Sequence, residues 1–139
     1  MTVRNIAALL AASVFAYAGA AFAHHSFSAE FDAAKPVKLT GIVTKVEWTN
    51  PHVWFYINVK DEATGKVANW GAEMGPPHGL QRSGWRRETL KIGEEVTVDG
   101  YLARNGANRM NARTVTLTST GGRPGQTLDA ASSAGGANQ

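Results

Sequence analysis

Apolar side chains recur at alternate positions along most of the chain from Val37 to Thr118, and that two-residue period predicts strands. Val37 to Trp48 is rich in β-branched residues and reads as a long first strand. Its apolar phase changes near Gly41, with Val37 and Leu39 before it and Ile42, Val46 and Trp48 after it, so a bulge is expected at that glycine. Thr49-Asn50-Pro51 marks a turn. His52 to Lys60 then alternates cleanly: Val53, Phe55, Ile57 and Val59 take one face, and His52, Trp54, Tyr56 and Asn58 the other. A hairpin turn over Asp61 to Gly65 leads into a third strand, Lys66 to Met74, with Ala68, Trp70, Ala72 and Met74 opposite Asn69, Gly71 and Glu73.

Gly75 to Gly93 breaks this rhythm, with a short helix expected over His78 to Ser83 and Trp85 as an anchor for the insert. Glu94 to Arg104 is the fourth strand, with Val96, Val98, Gly100 and Leu102 inward. The turn Asn105-Gly106-Ala107-Asn108 follows. Met110 to Thr118 is the fifth strand, its phase disturbed by Arg113 and Thr114. From Ser119 onward Gly, Ser, Ala and Asn dominate, which predicts a disordered tail over 119–139. The fold expected is all-β: a small five-stranded barrel of the oligonucleotide/oligosaccharide-binding (OB) kind, with a short helical or irregular insert between strands three and four. An open meander or a small sandwich would give a similar string.

The first residues carry a different signal. Arg4 precedes an uncharged, alanine-rich run from Ile6 to Ala20, and Ala21-Phe22-Ala23 is a small-x-small cleavage site. Residues 1–23 therefore read as an export signal, 24–118 as the domain and 119–139 as the tail. The apolar run is short of the roughly 20 residues a membrane span needs. The expectation is a periplasmic protein with no span after cleavage, whose first residue is His24.

Composition narrows the function. The 139 residues suffice for one domain, and 43% hydrophobic with 18% charged content suits a globular one. There is no cysteine, which excludes disulfides, thiolate metal sites and thiol nucleophiles. The formal charge of +3, lowered by one with the loss of Arg4, lacks the clustered basic face of a nucleic-acid binder.

One set of motifs is distinctive: His24-His25-Ser26-Phe27, Glu30-Phe31-Asp32, Leu39-Thr40-Gly41, Val46-Glu47-Trp48, Asn50-Pro51-His52, Gly84-Trp85 with Leu90, Gly93, Val96-Thr97-Val98, Gly100-Tyr101 and Asn111-Ala112-Arg113. Together they resemble an uncharacterised family of small exported bacterial proteins, mostly proteobacterial. The resemblance covers the chain from His24 to about Leu117. It implies a periplasmic OB-like barrel and supplies no activity.

Two constellations have chemistry to offer. An N-terminal His24 would present its α-amine and imidazole to one metal ion, and a second imidazole would complete a three-nitrogen site. Amine and imidazole donors favour Cu(II) among the divalent first-row metals, so copper is the first metal expected. His52, directly after the Asn-Pro turn, is the best third nitrogen, with His25 and Glu73 as optional ligands. Against this, His24 and His25 also read as a solvated chain end, as termini usually are. The second constellation is an aromatic and polar face of Trp54, Tyr56, Asn58 and Asn69, flanked by Arg104 and Arg109 at the loop between strands four and five. In OB-folds that face is the usual ligand surface. The plainer alternative has Phe27 and Phe31 of the lead-in packing over Trp54 and Tyr56.

No nucleophile elbow, zinc-protease helix or phosphate loop occurs, so no enzyme is expected. Three readings remain: a non-catalytic periplasmic binding protein holding a metal ion, an envelope protein, peptide or glycan interaction module using the aromatic face, and a structural or stress-related domain without a small ligand. Oligomeric state is not legible.

Overall fold

The computed structural model describes residues 27–118 and 124–132. The expected export signal, with His24 and His25, lies outside the described residues, as do 119–123 and 133–139 of the tail. Among the described residues, a helical turn at 27–30 is followed by six strands and one short helix in order: β1 (Phe31–Glu47), β2 (Trp54–Lys60), β3 (Val67–Glu73), α1 (Pro77–Arg82), β4 (Glu95–Ala103), β5 (Arg109–Leu117) and β6 (Gln126–Asp129). The strands form one sheet in the order β3-β2-β1-β4-β5-β6, with a further pairing between β3 and β5. That last pairing is parallel and joins Gly71, Ala72 and Glu73 to Arg109, Met110 and Asn111. The pairings thus run from β1 through β2, β3, β5 and β4 back to β1.

The 17-residue β1 serves two neighbours. Its first part pairs with β4 from Phe31 to Ile42, and its second with β2 from Ile42 to Glu47. The strand begins earlier than its pattern suggests, because Ala33 to Lys35 carry no apolar alternation. A register irregularity between Phe31 and Pro36 accommodates a proline that has no N–H to give the ladder.

The bulge lies one residue past Val43 rather than at Gly41. Val43 faces Ile57 and Lys45 faces Tyr56, which leaves Thr44 as the extra residue. Val37, Leu39 and Val43 share the inward phase, and Val46 resumes it after the bulge, whereas Ile42 is 41% exposed. Gly41 instead permits close approach of two strands. A Cβ there would lie 2.5 Å from the Asn58 carbonyl oxygen, so only glycine fits. A second bulge explains the disturbed fifth strand. Asp99 pairs with Thr114 and Gly100 with Ala112, so Arg113 is the extra residue and both Ala112 and Val115 point inward. β4 keeps its inward phase across the irregularity, with Val96, Val98 and Gly100 buried, while Leu102 at its end is half-exposed and Ala103 is buried.

The core gathers Val43, Val53, Phe55, Ile57, Met74, Val96, Val98, Met110 and Val115, with Leu80 and Trp85 from the insert. Burial of this set supplies the main stabilisation in a domain without disulfides. Trp85 is fully buried, and its indole Nε1 donates to the Asp129 carbonyl at 2.7 Å. That bond explains the main correction to the sequence reading. Part of the supposed tail is the sixth strand: Gln126–Asp129 pairs with Thr114–Leu117, and Leu128 and Ala130 enter the core.

Candidate functional site

Antiparallel register carries the outward residues of β1, β2 and β3 into rows. Glu47, Trp54 and Glu73 form one row, because Trp54 pairs with both the others. Lys45, Tyr56 and Gly71 form the next. Asn58 and Asn69 pair beyond them, and the Asn69 amide donates to the Asn58 side-chain oxygen at 2.9 Å and to Thr44 Oγ1 at 3.1 Å. Gly71 leaves room for the aromatics: a Cβ at that position would lie 3.3 Å from Tyr56 Cε1 and 3.6 Å from Trp54 Cζ3.

His52 stands just before β2, after a cis Asn50-Pro51 peptide bond. The β2–β3 ladder continues past the strand ends, with Val53 N–H donating to Gly75 and Met74 N–H to Val53. His52 is therefore diagonal to Glu73 across the two chains, a separation that long side chains bridge. They do so here: His52 Nδ1 makes a short hydrogen bond to Glu73 Oε1. Glu73 is the more deeply placed of the two, with its side chain 11% exposed against 31% for the histidine.

A cavity of about 440 Å³ opens over this pair, lined by Phe27, Glu30, Thr49, Asn50, Pro51, His52, Trp54, Glu73 and Arg109. Arg109 begins β5 beside Gly71, and its guanidinium lies 4.6 Å from the centroid of the Trp54 ring. The same guanidinium stands 3.7 Å from Glu30. Beyond the Trp54–Arg109 pair a second cavity of about 310 Å³ continues past Glu47, Tyr56, Asn69, Gly71 and Asn108. The two share Trp54 and Arg109 as a common wall, so the outer face of β2 and β3 is one interrupted groove.

The far end of the groove is polar and charged. Tyr56 donates its hydroxyl to Glu47 at 3.1 Å, and Lys45 pairs with the other oxygen of Glu47. The hydrogen bond from Lys45 holds the Glu47 carboxyl below its ordinary range. Desolvation, helped by the neighbouring Glu47 carboxylate, pushes the Tyr56 phenol above its ordinary value.

The structure thus brings together His52, Glu73, Trp54, Tyr56, Asn69 and Arg109, with Asn58 at the margin. Arg104 is elsewhere: its Nε donates to the Ser28 carbonyl at 2.7 Å and its guanidinium faces Asp32, so it fastens the lead-in and leaves the groove. The lead-in covers less than the plainer alternative requires. Residues 27–30 make a helical turn, Phe31 is buried, and Phe27 stacks on Phe31 at 5.9 Å and meets Tyr101 at 5.8 Å. Phe27 reaches only the His52 end, and Trp54 and Tyr56 remain half-exposed. Sequence reasoning missed Glu47 and Glu30 as members of this surface. Glu47 was recoverable, since a hairpin centred on the Asn50-Pro51 turn sets it opposite Trp54, whereas Glu30 needed the path of the lead-in.

Among the described residues, no group of three or more His, Asp or Glu side chains converges on one point suited to a metal ion. No helix among them is long and apolar enough to cross a membrane. The model of a family of unknown function, DUF6152, matches residues 11–112. No curated protein matches the sequence.

Proposed function

The chain belongs to the DUF6152 family, whose description assigns no activity, and we propose that it is an exported, periplasmic, non-catalytic binding protein that holds a transition-metal ion, copper first, at the His52 end of the groove. The ring of pairings β1-β2-β3-β5-β4 supports reading the fold as an OB-like barrel to which β6 is added. The groove lies on the β2–β3 face that such barrels use for ligands.

One observation carries the metal reading: Phe27, three residues after His24, lines the same cavity as His52. Chain geometry limits how far the preceding residues can stray. Each residue extends a chain by at most roughly 3.6 Å. An export signal cut after Ala23 would free the His24 amine three residues before Phe27, whose side chain lines the cavity with one imidazole, that of His52. Amine and two imidazoles form the nitrogen-rich set that Cu(II) prefers.

The test is a Cu(II) titration of the chain beginning at His24, the same chain with one residue added before His24, and His52→Ala. The reading expects both changes to weaken binding by at least tenfold. Equal affinity in all three removes both the terminal amine and the groove from the site.

A second reading has its own observation, the continuous wall of Trp54, Arg109 and Tyr56 running into the polar far end. Such a surface suits an envelope peptide or glycan that stacks on the indole. It expects Trp54→Ala to abolish capture of that partner while the thermal transition is retained.

A further inference from the structure

Past the Trp54–Arg109 pair the groove is electrically balanced. Its formal charges are Glu47 and Arg109, and each already faces an opposite charge, Lys45 for the first and Glu30 for the second. Among the described residues no histidine lines this stretch, so the balance does not depend on an imidazole. A charged ligand would have to break an existing pair to enter. A neutral, polar one would not.

The amides of Asn58 and Asn69 add a fixed pattern. The Ile57 carbonyl can only accept, so the group of Asn69 that meets it is the NH2, which also donates to Asn58 Oδ1 and Thr44 Oγ1. That arrangement leaves Asn69 Oδ1 as an acceptor and Asn58 Nδ2 as a donor, on paired and exposed residues of the outer face. One acceptor beside one donor complements an amide group, which offers an N–H and a C=O. In the neighbouring rows the half-exposed rings of Tyr56 and Trp54 sit beside Gly71, which leaves them room. They give apolar surface to the C–H face of a sugar ring, and the Arg109 guanidinium gives donors to its hydroxyls.

Resting on the second reading above, we infer that this stretch of the groove binds a neutral oligosaccharide of N-acetylated amino sugars, with the acetamido group held by Asn58 and Asn69 and the sugar ring against Tyr56 and Trp54. A peptide also carries amides, but the strands beneath these rings already have neighbours on both sides. β2 lies between β1 and β3, and Gly71 between β2 and β5. An extended peptide lying there finds no backbone edge, so it forgoes the ladder that gives such peptides their affinity.

The experiment titrates the full chain with three probes: chitotetraose, cellotetraose, which carries a hydroxyl in place of each acetamido group, and a neutral Ser/Thr peptide. Calorimetry and the side-chain amide and indole signals of proton–nitrogen spectra are followed together. Expected are shifts at the Asn58, Asn69 and Trp54 side chains with chitotetraose, and binding of cellotetraose weaker by roughly tenfold, the effect of losing one or two hydrogen bonds. Asn69→Ala should bring the two affinities together.

Equal affinity for the two sugars in the unaltered chain overturns the N-acetyl assignment and leaves the groove reading standing. So does a full preference kept in Asn69→Ala, or a peptide that moves the groove signals while neither sugar does. No shift at these side chains with any of the three probes, whether or not calorimetry records binding, overturns both. Should Asn69→Ala fail to fold, the comparison of the two sugars on the unaltered chain decides alone.

Discussion

Arg109 and Trp54 touch across the joint where the chain of pairings closes, the guanidinium 4.6 Å from the indole centroid. Neither residue's own hairpin sets this contact. It arises from the parallel pairing of β3 with β5, which brings Arg109 beside Gly71 and so over the row that holds Trp54. Through Glu30 the same guanidinium also reaches the helical turn of the lead-in. Arg109→Ala should therefore cost only about 0.5–1 kcal/mol, the worth of a cation–π contact at an exposed site. It should also speed amide exchange at residues 27–30. A denaturant melt and exchange mass spectrometry check the two parts, and unchanged exchange at 27–30 would separate the lead-in from Arg109.

Two glycines, Gly100 on β4 and Gly71 on β3, should respond differently to alanine. At Gly100 an added Cβ would meet the Asn111 carbonyl oxygen at 2.1 Å, and backbone on both strands prevents relief. Gly100→Ala should destabilise by about 1–3 kcal/mol, the usual cost of forcing atoms into a packed site. At Gly71 the nearest atoms belong to the Tyr56 and Trp54 rings, at 3.3 Å and 3.6 Å, which are half-exposed and can tilt. Gly71→Ala should leave the melting temperature nearly unchanged and alter tryptophan fluorescence. Thermal melts of the two variants compare them directly.

These contacts show which parts of the molecule were legible in the sequence. Strict alternation from Val53 to Val59 determined both faces of β2 and hence the row of His52, Trp54 and Tyr56. The same alternation put Glu73 on the matching face of β3, but its meeting with His52 depends on inter-strand register, which no single segment encodes. Thr44 was hidden because Ile42, an apolar residue on the outer face, mimicked a phase change at Gly41. Arg104 and Arg109 flank one loop and looked equivalent, yet a five-residue offset across the turn sends one to the lead-in and the other to the groove.

The sixth strand was illegible for a physical reason and gives a sharp prediction. Gln126-Thr127-Leu128-Asp129 offers one large apolar side chain amid small and polar residues, so period and composition both read as tail. Its place depends on partners far away in sequence: the ladder to β5 and the Trp85 indole bonded to the Asp129 carbonyl. Leu128→Ala should cost about 2–5 kcal/mol, as for other buried leucines. Trp85→Phe should destabilise as well, since it leaves the Asp129 carbonyl without its indole donor. A chain ending at Thr118 should melt well below the intact one, and an equal melting temperature would return residues 126–129 to the status of a tail.

Glu47 and Tyr56 supply a pH dependence whose sign can be worked out. Burial first, then the hydrogen bond to Glu47 and its negative charge, raise the Tyr56 phenol above its ordinary value near 10. A group that holds its proton more tightly when folded contributes stability below its unfolded pKa, and that contribution fades as pH rises through the folded value. Glu47 is shifted the other way, chiefly by the Lys45 hydrogen bond. Its contribution is present above the ordinary carboxylate range and fades as pH falls through the folded value, and salt should weaken it because the pair is exposed. Glu47→Gln removes the charge while keeping an acceptor, so Tyr56 should ionise at lower pH than in the parent chain, although desolvation still holds it up. Phenolate absorbance followed on raising the pH resolves this, with Tyr101 in the same protein as the internal comparison. A Tyr56 titration unmoved by Glu47→Gln would mean that burial alone sets the phenol and that the far end of the groove is not electrostatically joined to Tyr56.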